Sequence, residues 1–346
     1  MSEKITVAFK PKQVVKKLLA VLVPRAKDVI VSRYGLGNES ARLTLEAIGK
    51  KYNITRERVR QIENYSLDHI RKSKEYKETL PVFEELKESM HLMGGLVPEE
   101  EFLTTLAKDK STQNHIHFLL VVGEHFTRYK EDDHFKTRWH VDNELAEQVH
   151  GSLKKLYENL SDDDLISDPD FIESFLEQLH ELAEKYKSDE IMKRWLSLSK
   201  KIGRNPLGEW GKSSSSNINA RGMRDYAFLV IRKHGSPIHF REVAEAITKI
   251  FNKKAHVATT HNELIKDSRF VLVGRGLYAL SEWGYMSGVV KDVIRKVLEK
   301  NGPLTKQEII DKVLKERYVK ENTIVVNLQN PKFFKKDTQG RYALAK

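Results

Sequence analysis

The stretch Thr44-Leu-Glu-Ala-Ile-Gly-Lys-Lys-Tyr-Asn-Ile-Thr-Arg-Glu-Arg-Val-Arg-Gln-Ile-Glu63 decides how the N-terminal part of this chain folds. Thr44 stands where a helix over Leu45 to Tyr52 needs an N-cap, and Glu46 in the first turn suits the positive end of the helix dipole. Asn53 follows, at a position where a tight turn needs a residue tolerant of left-handed geometry. Thr55 then caps a second helix, from Arg56 to about Ser73. Two such helices joined by a short turn form a helix-turn-helix. Ile48, Ile54, Val59, Ile62 and Leu67 have the spacing to close a small three-helix core.

Arg56, Glu57, Arg60 and Gln61 fall at i, i+1, i+4 and i+5, so they share one exposed face. In the major groove Arg can donate two hydrogen bonds to guanine, Gln can pair with adenine, and Glu can accept from cytosine. A solvated salt-bridge face would also hold Arg and Glu. The capping and turn residues around the helix favour base reading over that alternative.

Outward from this stretch, helices are expected over Lys12 to Arg25 and over Lys27 to Tyr34, the second stopping at Gly35. Further along, one unit recurs three times: an apolar helix, a Gly or Pro turn, and a helix with an acidic first turn. The turns begin at Gly94, Gly235 and Gly302. Each copy closes on two short alternating runs: Phe126–Lys130 with Phe135–Val141, Phe270–Val273 with Leu277–Leu280, and Phe333–Lys336 with Arg341–Leu344. Helices followed by a terminal hairpin describe a winged helix. Between the first two copies, Val141 to about Lys201 reads as a helical connector, with Leu145, Val149, Leu153, Phe171, Phe175, Leu179 and Leu182 at helical spacing. Gly208 through Ser216 reads as a flexible linker.

The chain has 346 residues, 40% hydrophobic and 32% charged, which suits a soluble, folded, multi-domain protein. No cysteine is present, which rules out disulfides, cysteine-ligated metals and thiol catalysis, and fits a reducing cytoplasm. No run approaches eighteen apolar residues, so no membrane partner is expected. The net charge of +11 is unevenly spread. Residues 1–75 carry 17 basic and 8 acidic side chains, residues 76–216 carry 18 and 28, and residues 217–346 carry 25 and 13. Two basic ends flank an acidic middle, and basic domains attract polyanions such as nucleic acid. Histidines cluster between His91 and His150, and with Asp132 and Asp133 could form a metal site, but they lack an established ligand spacing, so no metal or other cofactor is expected. Nothing in the pattern asks for catalysis or a small-molecule substrate.

The Thr44–Glu63 stretch, with Tyr34-Gly-Leu36 before it, resembles region 4 of the major bacterial sigma factors over roughly residues 11–73. The resemblance implies that Thr55 opens a helix entering the major groove of a −35 promoter element. Arg56, Glu57 and Gln61 would contact bases, and Arg58 and Arg60 would lie near phosphates. Thr44 and Leu45 would present backbone amides to phosphate. It further implies a grip on the flap of RNA polymerase core, with Leu18, Leu22 and Val29 as groove residues. The family's promoter-melting region has no counterpart, so the chain is expected to hold duplex DNA without opening it.

A second stretch, about Asn219 to Tyr285, resembles the HARE-HTH winged-helix family, through Arg224-Asp-Tyr-Ala, Gly235-Ser-Pro-Ile-His-Phe-Arg-Glu-Val-Ala and Gly274-Arg-Gly-Leu-Tyr-Ala-Leu-Ser-Glu-Trp-Gly284. By position that points to Lys253, Lys254, His256, Thr259, Thr260, His261 and Asn262 on the third helix and before it, and to Arg275 in the wing, as DNA contacts. Tyr278 and Trp283 read as core.

The expected fold is mainly α and multi-domain: an N-terminal three- or four-helix helix-turn-helix plus tandem winged helices with short β-hairpin wings. The expected domains are 1–75 helix-turn-helix, 76–141 acidic winged-helix-like unit, 142–216 connector and Ser-rich linker, 217–285 winged helix and 286–346 C-terminal winged helix. The expected function is a non-enzymatic, sequence-specific DNA-binding transcription protein of the cytoplasm and nucleoid, partnered by double-stranded DNA and RNA polymerase core. The alternatives are a polymerase-independent repressor or chromatin-like factor, a winged-helix protein-interaction scaffold, and the DNA-targeting subunit of a restriction or modification system.

Overall fold

Proline sets the first two helices. α1 (Pro11–Leu19) and α2 (Pro24–Tyr34) each begin on a proline, whose missing N–H is one that a first turn leaves unpaired anyway. The continuous helix expected over Lys12 to Arg25 is therefore broken at residues 20–23. Pro24 cannot donate into a preceding turn, and its ring crowds it. α2 ends on Gly35 at φ 64°, and α3 (Leu45–Tyr52) and α4 (Arg56–Arg71) follow. The computed structural model describes residues 5–179, 186–286 and 288–345, and these form two compact units. One is built on residues up to 203 together with 210–213, the other on 204–209 together with residues from 214 onward. No described helix is long and apolar enough to cross a membrane.

In the first unit α4 is followed by α5 (Lys74–Glu78), α6 (Leu80–Leu92), β1 (Leu96–Pro98), α7 (Glu99–Leu106), α8 (Lys110–Val122), β2 (Thr127–Tyr129) and β3 (Arg138–His140). The strands form an antiparallel sheet in the order β1-β3-β2, with Val97 opposite Trp139 and Arg128 opposite the same Trp139. A boundary expected near residue 75 does not separate two cores. One apolar core runs through Leu18, Ile30, Ile70, Phe83, Phe118 and Trp139. The cause is α8. Its run from Gln113 to Leu120 is buried at every position, so it cannot be the surface helix of an independent domain.

A second core in this unit gathers α9 (Asn143–Asn159), α10 (Asp168–Gln178) and α11 (Asp189–Leu196) around Leu153, Phe171, Phe175 and Trp195. Leu182, expected to continue that stripe, lies outside the described residues. Two further short strands follow, β4 (Ile202–Arg204) and β5 (Trp210–Lys212), and β5 lies inside the expected linker. Residues 208–216 hold a strand and turns because Trp210 is an anchor. It is 5% exposed, its ring stacks on Phe171 at 5.5 Å, and its Nε1 donates to Asp168 Oδ1 at 2.5 Å.

The second unit repeats a topology already seen in the first. α12 (Met223–His234), β6 (Ile238–His239), α13 (Phe240–Phe251), α14 (Val257–Lys266), β7 (Phe270–Leu272) and β8 (Leu277–Leu280) follow the order of α6, β1, α7, α8, β2 and β3. The sheet order β6-β8-β7 matches β1-β3-β2. This is the winged-helix arrangement, and it occurs again in α15 (Val290–Asn301), α16 (Lys306–Glu316), α17 (Glu321–Leu328), β9 (Phe334–Lys336) and β10 (Tyr342–Leu344). There Val293, Val297, Ile309, Ile324 and Phe334 close the core, and Leu304 bridges to Tyr342 as a third strand would. The boundary expected at residue 285 lies inside this compact unit, where the Tyr318 N–H donates to Val273 O at 2.8 Å.

Candidate nucleic-acid interface

The helix-turn-helix is assembled by local rules. Thr44 Oγ1 accepts from the Ala47 N–H, and Thr55 Oγ1 from the Arg58 N–H, both at 3.1 Å. Each cap is worth about 1 kcal/mol. Asn53 closes α3 at φ 52°, ψ 48°, and Asn252 does the same for α13 at φ 51°. Among the described residues these are the only non-glycine positions with positive φ, and both stand one turn before an outward-facing helix. Gly49 lets the two helices close: a Cβ there would lie 2.7 Å from Ile54 O. Beneath the turn Val29, Ile48 and Val59 are fully buried, with Leu45, Ile54 and Ile62 packed around them.

The outer face of α4 is open. Arg56, Glu57, Arg58, Arg60 and Gln61 are all exposed, as are Thr44 and Thr55; Leu45 is half-buried, with its side chain in the core. These side chains are partly paired with one another. Arg60 Nε and Nη2 donate to the Glu57 carboxylate at 2.7–3.1 Å, and Arg58 Nη1 donates to Gln61 Oε1 at 3.0 Å. The hydrogen bond from Arg60 holds the Glu57 carboxyl below its ordinary range, and Glu57 raises the Arg60 guanidinium in return. Both stay charged at neutral pH. Arg56 has no carboxylate within ion-pair distance among the described residues. These bonds are exposed and screened by water, so each is weak.

Two residues beside this face escaped the sequence reading. Arg25 and Tyr65 join Val23, Ile54, Arg58 and Gln61 around an open groove of about 660 Å³. Tyr65 is 71% exposed and its ring stacks on His69 at 6.1 Å. Its spacing, one turn beyond Gln61, was the available signal.

Behind α4 the arrangement is structural. Glu63, at the end of the motif, is buried and accepts from Tyr34 Oη at 2.8 Å and Arg33 Nε at 3.3 Å. Burial pushes the Tyr34 hydroxyl up, and the Glu63 charge pushes it further. α8 then covers this side. Asn114 Nδ2 donates to Gly35 O at 3.0 Å and Ser40 O at 2.8 Å, and its Oδ1 accepts from Arg42 Nε at 2.9 Å. The Arg71 guanidinium donates to Val121 O and Val122 O at 2.9 and 3.1 Å. Phe118 meets Tyr34 edge-on at 5.1 Å.

The polymerase-groove assignment is corrected by this packing. Leu18 and Val29 are fully buried and Leu22 is 8% exposed, so none lines an open groove. Helical spacing revealed an apolar stripe on α1 and α2, and the chain's own core has consumed it.

In the second unit, Lys253, Lys254, His256, Thr259 and Asn262 are exposed before and along α14, and Arg275 is exposed at the wing tip. Lys253 Nζ sits over the Tyr226 ring at 4.5 Å. Thr260 is a correction. It is fully buried and its Oγ1 donates to His256 O at 3.0 Å, because it falls on the core side of α14 with Leu264. His261 is also drawn inward: half-buried, it stacks on Phe240 at 4.2 Å and meets Tyr278 edge-on at 5.8 Å. Tyr278 is buried and Trp283 packs against a small cluster of Val271, Val273 and Ala279.

The histidines between 91 and 150 are largely core. Among the described residues no three metal-ligating side chains converge. His150 Nε2 accepts from Arg138 Nε at 2.7 Å; burial, helped by the Arg138 charge, pushes its imidazole down to about 4. Burial likewise lowers His117 and His140. His117 Nε2 lies 3.5 Å from Glu99, whose carboxyl burial alone would raise; contacts with His117 and Arg128 outweigh that and hold it well below its ordinary value.

Comparison with known proteins covers the N-terminal domain. Residues 18–72 match the family described as Sigma-70, region 4. The RNA polymerase sigma factor SigA of Clostridium acetobutylicum is 44% identical over 72 residues, 20% of this chain and 19% of that protein. SigA2 of Synechococcus elongatus is 44% identical over 57 residues, 16% of this chain and 18% of the relative. RpoD of Helicobacter pylori is 46% identical over 57 residues, 16% and 8%. The chain thus spans less than a fifth of the length of these curated relatives. Residues 18–72 are a sigma-70 region 4 domain, a helix-turn-helix of the DNA-binding kind found in transcription proteins.

Proposed function

We propose that the protein is a sequence-specific DNA-binding transcription protein that recognises −35-type promoter duplex through α4 and works beside RNA polymerase as a sigma-like or accessory regulator. The observation that carries this reading is the open Arg56–Glu57–Arg60–Gln61 face on a helix N-capped by Thr55, within a domain whose relatives are named RNA polymerase sigma factors. Arg56 and Gln61 supply donors and acceptors to base edges, Glu57 accepts from cytosine, and Arg58, Arg60 and the first-turn amides of α3 meet phosphates. The chemistry is binding, not bond-breaking, and the site of action is the cytoplasmic nucleoid. Residues 217–285, with their HARE-HTH resemblance, add a winged-helix surface through Lys253, Lys254, His256, Thr259, Asn262 and Arg275.

Anisotropy titrations of the full chain on promoter and scrambled duplexes test this. If the N-terminal domain neutralises about six phosphates, log affinity falls with log salt at a slope of about −5. Arg56→Ala with Gln61→Ala removes discrimination at about 1–3 kcal/mol per base contact and barely alters that slope. Equal loss on both duplexes contradicts direct readout.

A second reading is favoured by one observation. α8 fills the apolar side of the domain behind α4, so polymerase contact through that side requires α8 to leave. A regulator acting on DNA without polymerase needs no such opening. Retention of the full chain on RNA polymerase core supports the first reading; sequence-specific binding without retention supports the second.

A further inference from the structure

A cleft of about 690 Å³ opens in the first unit, where the loop from α2 to α3 meets the first winged-helix copy. Arg42 of that loop lines it, together with Lys110 at the start of α8, Lys136 shortly before β3, and the apolar Pro98 and Leu103. Four carboxylates also border the cleft, but three are committed to cations outside its lining. Glu99 accepts from Arg128 Nε at 2.7 Å and from Trp139 Nε1 at 2.8 Å. Glu101 accepts from Arg194 Nε at 2.7 Å, and Glu131 from Lys200 Nζ at 2.7 Å. Only Glu100 is left unpaired among them.

The cations of the lining have no such partners. Among the described residues Arg42, Lys110 and Lys136 have no carboxylate within ion-pair distance. Arg42 is held through Nε alone, which donates to Asn114 Oδ1 at 2.9 Å, and its Nη2 is buried with no acceptor. Burial lowers this guanidinium from its ordinary value, yet an arginine stays charged at neutral pH. A charge held out of water is unfavourable until something pairs with it. Asn114 also donates to Gly35 O and Ser40 O, and Arg42 stands just before the Thr44 cap of α3. The cleft is therefore built into the packing of α8 on the helix-turn-helix.

The chemistry of the lining selects the ligand. A guanidinium with unused donors matches the oxygens of a phosphate group, and lysines add point charge from two other elements. The volume lies within the range of about 300–1,000 Å³ usual for small-molecule sites, more than a bare ion needs. We propose that this cleft binds a small molecule carrying a phosphate group: Arg42 takes the phosphate oxygens, Lys110 and Lys136 supply further positive charge, and Pro98 and Leu103 meet the organic part. The site shares no residue with the outer face of α4, and it stands whether or not α4 reads a promoter.

The test is calorimetric titration of the full chain with inorganic pyrophosphate at fixed ionic strength. The wild type binds at a single site. Arg42→Ala weakens binding by about tenfold or more, the factor carried by one hydrogen bond to a charged group. Arg42→Lys, which keeps the charge and loses the fork, recovers part of it. Lys110→Ala with Lys136→Ala also weakens binding; both side chains are exposed, so an unchanged melting midpoint shows that the fold is retained, and this variant decides the matter if Arg42→Ala does not fold. Arg56→Ala with Gln61→Ala binds pyrophosphate as the wild type does. No binding to the wild type, or undiminished binding in the double lysine variant, overturns the proposal. Succinate bound as tightly as pyrophosphate contradicts the phosphate assignment. Displacement of pyrophosphate by a scrambled duplex places the phosphate on a DNA-facing surface instead and overturns the small-molecule site.

Discussion

α8 and α14 occupy the same place in the same topology, and they are used in opposite ways. Each is the third helix of its winged-helix copy and precedes two sheet strands. α8 is buried from Gln113 to Leu120 against the helix-turn-helix domain, whereas α14 exposes Thr259, Asn262 and Ile265 and buries only Thr260 and Leu264. α17 resembles α14, with Ile324 and Leu328 inward and Val326 outward. A winged helix is thus a frame, and the third helix becomes a protein contact or an open face according to its side chains. α8 carries Ile116, Phe118, Leu119, Leu120 and Val122 in one short span, too much apolar surface to leave in water.

The comparison breaks most readily at Phe118. Phe118→Ala removes a fully buried ring from the core shared with Tyr34, at a cost of about 3–5 kcal/mol. The helix-turn-helix should destabilise with it, read as a common drop in melting and in DNA binding. A variant that loosens only residues 76–141 contradicts a shared core.

Asn114→Ala comes next. It leaves Gly35 O and Ser40 O without their side-chain donor and strands Arg42, costing about 1–3 kcal/mol by chemical denaturation. No such partnered amide anchors α14.

A smaller effect depends on pH. His150 titrates near 4 in the folded chain, below the ordinary value of about 6.5. Between those values the unfolded chain binds more protons, so stability is full above about 6.5 and falls as pH drops toward 4. His117 and His140 are shifted in the same direction and add to the loss. Melting midpoints of the full chain from pH 7.5 to 4.5 should therefore decline, and His150→Gln should flatten the curve. The smallest effects belong to the open helices: Ile265→Ala or Val326→Ala, both at exposed positions, should change stability by no more than about 0.5 kcal/mol.

How much was legible in the sequence follows from how local each cause is. Thr44, Asn53 and Thr55 act within four residues of themselves, so the caps and the turn could be read directly, and Gly49 sits where that turn demands close approach. Each pair of alternating runs follows two helices around a Gly or Pro turn, and that local order reveals the winged helices. What covers a helix is not local. The polar residues Gln113, Asn114, His115 and His117 of α8 are all buried; Gln113 and His115 bond to the nearby carbonyls of Ala107 and Ser111, but the neighbours of Asn114 and His117 lie far away in sequence, at Gly35, Ser40 and Glu99. Leu18, Leu22 and Val29 display an apolar stripe without saying which surface fills it. Trp210 is hidden the same way: a Gly- and Ser-rich run reads as a linker until Phe171 and Asp168 receive its ring.

The most direct measurement is a binding selection with the full chain on a randomised duplex library, run beside Arg56→Ala with Gln61→Ala. Base reading by α4 predicts one enriched motif for the wild type, lost in the double variant while non-specific binding and its salt dependence remain. The same motif from both proteins, or no motif from the wild type, would contradict it.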